Sequence, residues 1–208
     1  FLSDITHDLR TPLSIINNAL YLLRRKMGDQ ENRQLDALEK QTLHMQHVVE
    51  DMLDMSKLDD EFAELNPMRL SLNGLINDLI INVENSVNSK QQKLVFAPTD
   101  ANPFIMADQF MLGKMLTNVL KNAIQYTPDS GSIYIETCKK ETTVHIVVRD
   151  SGIGIDSNIL PHIFDRFYKA NTARPSGQSG TGLGLSIARR IAEMHGGTIE
   201  AQSKLGDG

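Results

Sequence analysis

At 208 residues the chain has room for one large domain or two small ones. Its apolar share of 40% is that of an ordinary soluble globular protein, and a net charge of −5 excludes the clustered Lys and Arg of a nucleic-acid surface. A single cysteine, Cys138, forbids an intrachain disulfide and suits a reducing compartment, while no signal peptide and no bilayer-spanning apolar run is evident.

Residues 1–60 read as two long helices. Ile5, Leu9, Leu13, Ile16, Leu20, Leu23 and Met27 recur at alternating steps of four and three, a heptad seam. Gly28-Asp29-Gln30-Glu31-Asn32 interrupts it, and Leu35, Leu38, Thr42, Met45, Val49 and Met52 resume it. Val48, Leu53, Met55 and Leu58 widen the second apolar face beyond what a lone hairpin buries. Two hairpins forming a four-helix homodimer would cover it; a monomeric hairpin lying on its own second domain is the alternative.

The composition changes at Asp59-Asp60-Glu61 and Asn66-Pro67, the pattern of a hinge. The expected division is a helical hairpin over 1–60, a linker over 61–68 and a second domain over 69–208. Helices are predicted over 72–89 and 108–126, and strands over 93–96, 132–138 and 142–149. A last helix, 183–195, should stop at Gly196-Gly197. Helices and strands without regular alternation point to an α+β two-layer sandwich. The chain begins in patterned helix and ends in Gly206-Asp207-Gly208, so it reads as a fragment of a cytoplasmic region, with membrane attachment of the parent left open. The fragment itself is expected to make no membrane contact.

His7 lies two residues from Leu9, about 200° around the helix from the seam, so it faces away from the bundle. His7-Asp8-Leu9-Arg10-Thr11-Pro12 sets a carboxylate beside the imidazole, a hydroxyl one turn on, and a proline that should kink the helix. The run Phe1-Leu2-Ser3-Asp4-Ile5-Thr6-His7-Asp8-Leu9-Arg10-Thr11-Pro12-Leu13 resembles the phospho-acceptor box of histidine kinases. That resemblance implies His7 as nucleophile toward a γ-phosphate, Asp8 as general base, and Thr11 as positioner of a water in a reverse phosphatase reaction. Thr11 equally suits a helix-surface hydroxyl. His44 and His47 lack an evident third metal ligand and read as solvated helix faces.

Four later segments carry further chemistry. In Asn118-Val119-Leu120-Lys121-Asn122-Ala123-Ile124-Gln125-Tyr126-Thr127-Pro128, Asn118 and Asn122 share a helical face, and their amide oxygens suit Mg²⁺. Arg149-Asp150-Ser151-Gly152-Ile153-Gly154 sets an acceptor at a strand end before two glycines; it could hold adenine or be a plain turn. In Ile163-Phe164-Asp165-Arg166-Phe167-Tyr168-Lys169, Phe164 and Phe167 have the spacing of core residues, and Arg166 and Lys169 are candidate phosphate contacts. Gly180-Thr181-Gly182-Leu183-Gly184-Leu185-Ser186 leads into the last helix, exposing backbone N–H groups to an anion. The polar stretch 171–179 before it is a candidate lid.

In this order the segments resemble the N, G1, F and G2 boxes of the histidine kinase ATP-binding domain, a Bergerat-type fold shared with gyrase and Hsp90. The resemblance spans nearly the whole chain. It implies Mg²⁺ on Asn122 with Asn118 assisting, adenine on Asp150, and a pocket shaped by Tyr126, Gly152, Gly154, Gly180, Thr181, Gly182, Leu183 and Gly184. Asp8 stands where Glu is commoner, Thr6 where Ser is commoner, and Gln125 where a lysine is usual. The family's last strand is absent. The expected activity is autophosphorylation of His7 from Mg-ATP and transfer to an aspartate of a response regulator receiver domain. A catalytically idle dimeric nucleotide-binding scaffold is the alternative. A gyrase- or Hsp90-type ATPase would lack the hairpin.

Overall fold

The computed structural model describes residues 16, 19–21, 23, 32–60, 63–98, 103–169, 180–206 and 208. Ile16, Ala19, Leu20, Tyr21 and Leu23 are helical, with Leu20 buried and Ile16, Tyr21 and Leu23 exposed. Helix α1, Asn32–Leu58, has 27 residues and is about 40 Å long. The chain buries Leu35, Thr42 and Val49 of its apolar seam and leaves Leu38 (54%) and Met45 (52%) exposed. Leu53, Met55 and Leu58, toward the C-terminal end, are buried.

Two short strands, β1 (Met68–Ser71) and β3 (Phe104–Ala107), pair antiparallel, with Met68 opposite Ala107 and Ser71 opposite Phe104. Neither is expected from the sequence. Four residues are too few for an alternation to stand out, and pairing across more than thirty residues leaves no local signal. Helix α2, Leu72–Ser89, starts where Ser71 Oγ accepts the Gly74 N–H at 3.0 Å, satisfying an orphan donor of the first turn. Helix α3, Gln109–Tyr126, has Asp108 as its N-cap. One carboxylate oxygen accepts Met111 N–H and the other Asn66 N–H, both at 3.0 Å. The Met111 bond leads the causes that hold the Asp108 pKa below its usual value.

The main sheet runs in the order β2 (Lys93–Ala97), β4 (Ser132–Lys140), β5 (Thr143–Asp150). β2 is parallel to β4, whereas β4 and β5 form an antiparallel hairpin. Parallel neighbours need a crossover, and the chain between them includes α3. Ile133 and Ile135 of β4 are at most 2% exposed. They pack with Leu94, Phe96 and Val148 against Ile76, Val83 and Val87 of α2 and Leu116, Leu120 and Ala123 of α3. The intervening Tyr134 is exposed, and Glu136, next on that outer side, is partly exposed and bonds Arg149 at 3.1 Å. One face packed and one wetted gives the expected two-layer α+β sandwich.

Helix α4, Gly184–Met194, buries Ser186, Ile187, Ala188, Ile191 and Ala192 and packs against both α3 and α1. It ends as the glycine pair predicts, with Gly196 and Gly197 N–H groups donating to Glu193 and Ala192 carbonyls. His195 follows it. Its Nδ1 lies 2.8 Å from the Ile191 carbonyl, and its Nε2 accepts the Asp108 N–H at 3.1 Å. The neutral tautomer with the proton on Nδ1 satisfies both bonds. This ring splices the end of α4 to the start of α3.

Candidate functional site

Asn118 and Asn122 are both half-buried on α3. Asn118 Nδ2 donates to the Gly184 carbonyl at 3.0 Å, joining this helix to the first residue of α4. The bond uses an amide N–H, the end of the group that a cation cannot use, so it leaves the Asn118 oxygen chemically suited to Mg²⁺. Gly184 has room for a side chain, since a Cβ there would meet the Asn118 side chain at an ordinary contact distance of 3.7 Å. Among the described residues there is no cluster of three or more His, Cys, Asp or Glu side chains suited to a metal.

Asp150 ends β5, and its Oδ1 accepts the Gly152 N–H at 2.9 Å. Burial raises the carboxyl pKa above its ordinary value, and the Gly152 bond offsets this only in part. A carboxylate held in partial desolvation is a stronger partner for a neutral donor such as a purine amino group. Gly152 has no room for a side chain, since a Cβ would lie 2.4 Å from Asp150 Oδ1 and 3.0 Å from the Tyr126 carbonyl. Tyr126 itself is exposed, and its carbonyl accepts the Ile153 N–H at 3.4 Å. Gly154 serves packing rather than an open pocket: with φ +67°, it is pressed against the Lys204 carbonyl of the chain's own C-terminal turn.

Gly182, at φ +78°, lets the phosphate-loop candidate run beside the Phe167 and Tyr168 backbone, from which a Cβ would stand only 2.9–3.0 Å away. Gly180 is under no such constraint, with nothing within 4 Å of a Cβ. The segment over 163–167 is not helical, so the expectation that Phe164 and Phe167 pack as core residues is corrected for Phe167. It sits at φ +61° and is 57% exposed, because the chain turns there instead of coiling. Lys169 is exposed. His7, Asp8, Thr11 and the 171–179 stretch lie outside the described residues. Two clefts, of about 530 and 400 Å³, are lined by Ala63–Leu65 with Arg190 and Met194, and by α2 with β2; neither borders Asp150 or Asn122.

Residues 1–61 match the family described as His Kinase A (phospho-acceptor) domain, and residues 107–208 match Histidine kinase-, DNA gyrase B-, and HSP90-like ATPase. The chain belongs to the histidine kinases. Sensor histidine kinase YclK of Bacillus subtilis is 32% identical over all of this chain and 44% of its own length. Sensor histidine kinase WalK of the same organism is 31% identical over all of this chain and 35% of its own. The chain thus spans less than half of these relatives. Full-length ShkA, solved with AMPPNP, superposes with a TM-score of 0.84 at 25% identity, covering 99% of this chain and 43% of that one.

Within this histidine kinase, several residues that the sequence assigns to the nucleotide also meet helix α1. Arg166 makes two bonds of 2.7 Å to Asp59, one to each carboxylate oxygen. Thr181 Oγ1 donates to Asp51 Oδ2 at 2.6 Å while accepting the Leu183 N–H at 3.1 Å. Lys114 of α3 pairs with Asp54; burial lowers its pKa, with Asp51 and Glu50 opposing that shift. Arg190 Nε donates to the Leu58 carbonyl at 3.0 Å. Beneath these bonds Met55 and Leu58 pack with Leu183, Ile187 and Ile191, so the Leu183 side chain is committed to this core. Sequence reasoning misses Asp51, Asp54 and Lys114. Asp51 and Asp54, three apart on one helix face just before the Met55–Leu58 apolar end, are the signal that could have found the two carboxylates.

Proposed function

We propose that this chain is the catalytic core of a sensor histidine kinase: it binds ATP with Mg²⁺, phosphorylates its own His7, and passes the phosphoryl group to an aspartate on a response regulator receiver domain. One observation carries the reading. Segments far apart in sequence, around Asn118, Asp150, Phe167 and Gly182, make direct contacts in a chain whose first 61 residues match a phospho-acceptor family.

In this reading Asp150 selects adenine by accepting from its amino group, with Gly152 and Tyr126 shaping the edge of the purine site. Asn122 and Asn118 face the metal side. Mg²⁺, when bound, supplies charge neutralisation on the phosphates. Backbone N–H groups within Gly180–Gly184, at the start of α4, receive phosphate oxygens, aided by Lys169, with Arg166 and Thr181 joining once they part from Asp59 and Asp51. A ring nitrogen of His7 attacks the γ-phosphorus. A P–N bond forms, the bond to the bridging oxygen breaks, ADP leaves, and Asp8 takes the ring proton. Thr11 serves the reverse phosphatase reaction by holding a water.

The division into a 1–60 hairpin, a 61–68 linker and a 69–208 ATP-binding unit accords with α1 ending at Leu58 and β1 starting at Met68. A homodimer accords with the exposed Leu38, Leu43 and Met45 of α1, which a second hairpin would cover. The described residues contain no helix long and apolar enough to cross a membrane, and we assign this part of the protein to the cytoplasm.

The test uses γ-labelled ATP. Wild type should acquire label that survives base and is lost in acid, as a phosphoramidate does. His7→Gln should bind ATP and acquire none. An unlabelled wild type would favour the idle scaffold, and label on His7→Gln would refute the assignment of the acceptor.

A further inference from the structure

The loop joining α2 to β2 grips the far end of the asparagine-bearing helix. α3 ends at Tyr126, leaving its last carbonyls without partners inside the helix. Lys90 Nζ donates to the carbonyls of Ile124 at 2.7 Å, Gln125 at 3.0 Å and Thr127 at 3.4 Å. Gln92 Nε2 donates to those of Ile124 at 3.0 Å, Thr127 at 2.7 Å and Pro128 at 3.4 Å. A cation at a helix C-terminus is also favoured by the helix dipole. Between them Gln91 sits at φ +52°, a left-handed turn that aims both neighbours at the same helix end. Gln92 is 7% exposed and Thr127 1%, so the grip is an interior one.

Its other side is the purine acceptor. The Tyr126 carbonyl accepts from Ile153, and Gly152 lies against that carbonyl. A Cβ on Gly131 would meet Thr127 on one side and Ser151 on the other, at 2.4 and 3.0 Å. Ser151 and Ser132 are bonded through both backbone and side chain, at 2.9 and 2.8 Å. The turn over 126–131 is therefore held between the Lys90–Gln92 grip and the Asp150-Ser151-Gly152 turn.

We propose that Lys90 and Gln92 are positioning residues for nucleobase selection. They fix the 126–131 turn, which sets the Asp150 carboxylate relative to the asparagine face of α3. The inference rests on the reading of Asp150 as the adenine acceptor. A carboxylate attracts the amino group of adenine and repels the carbonyl oxygen at the same place in guanine, so its placement is read out as ATP-over-GTP preference.

The experiment measures binding of ATP and GTP to the full chain carrying Lys90→Met, Lys90→Met with Gln92→Leu, or Lys90→Arg, with melting temperatures alongside. ATP affinity should fall about tenfold in the double variant, GTP affinity should change by less than about twofold, and Lys90→Arg should retain most of the preference. If the double variant does not fold, Lys90→Met alone carries the test, with a smaller change in the same direction. Variants that melt lower yet keep the wild-type ATP:GTP ratio would overturn the inference and leave the kinase reading intact. A wild type that binds neither nucleotide would overturn both.

Discussion

Asp150→Asn separates what this carboxylate does for the folded chain from what it does for a ligand. Asn retains an acceptor for the Gly152 N–H, now met at 2.9 Å, and removes a charge that is partly desolvated. The folded-state pKa of Asp150 lies above its ordinary 3.8, so the folded chain holds the proton more tightly than the unfolded one. Its favourable contribution is therefore present below pH 3.8 and lost as pH rises through the folded-state pKa. At neutral pH the free Asn variant should melt no lower than wild type, and slightly higher. That advantage should disappear as the pH is lowered through the same window. ATP binding should behave oppositely: losing a hydrogen bond to a charged acceptor costs about 1.5–3 kcal/mol, roughly 10- to 150-fold in Kd.

Asp150→Ala supplies the contrast. It leaves the buried Gly152 N–H without its acceptor, at about 1–3 kcal/mol, and each kcal/mol shifts a chain of this size by about 2–4 °C. Ala should therefore melt roughly 2 to 12 °C below Asn while losing ATP to a similar degree. The assays are calorimetric melting across pH and equilibrium titration with ATP. An Asn variant that melts well below wild type at neutral pH and binds ATP normally would refute the assignment of Asp150 as a desolvated acceptor.

Three other outcomes follow from the same structure. Leu38→Glu with Met45→Glu should weaken self-association at least about 10-fold, since burying the exposed half of each side chain in a dimer is worth about 1 kcal/mol; an intact dimer in sedimentation would contradict the four-helix assembly. Ile187→Ala, at a site 0% exposed, should cost about 2–5 kcal/mol in denaturant unfolding, and a loss below about 1 kcal/mol would show that the α1–α4 core is not as packed as described. A double-mutant cycle of Asp59→Ala and Arg166→Ala should give a coupling of only about 0.2–1 kcal/mol, because the side chains are 39% and 51% exposed; a much larger value would mean the pair is shielded from water, as in a tighter assembly.

Long periodic elements are legible in the amino-acid order itself. Helix 72–89 and the α3 span are legible as helical runs, and β4 and β5 as strands bounded by turn residues. The β1–β3 ribbon is not, because its signal is split between two four-residue runs that become strands only by finding each other. At the site, chemistry is readable residue by residue, but competition is not. Arg166 and Thr181 look like phosphate ligands in sequence, and only the fold brings Asp59 and Asp51 to them. Leu183 likewise reads as part of a glycine-rich loop, while its side chain belongs to the core shared with α1. Phe167 has the spacing of a helical core residue, yet the backbone turns through a left-handed conformation there, so the spacing carries no face.

The His195 splice and the Asn118–Gly184 bond hold the two ends of α4 to the start and the middle of α3. A helix pinned at both ends cannot slide along its neighbour. Any large excursion of the ATP-binding half must then carry the amide pair and the glycine-rich turn together, like a jaw whose teeth are set in one bone. Pivoting would fall to the stretch between Leu58 and Met68, and its cost to the contacts with Asp51, Asp54 and Asp59 that have to part.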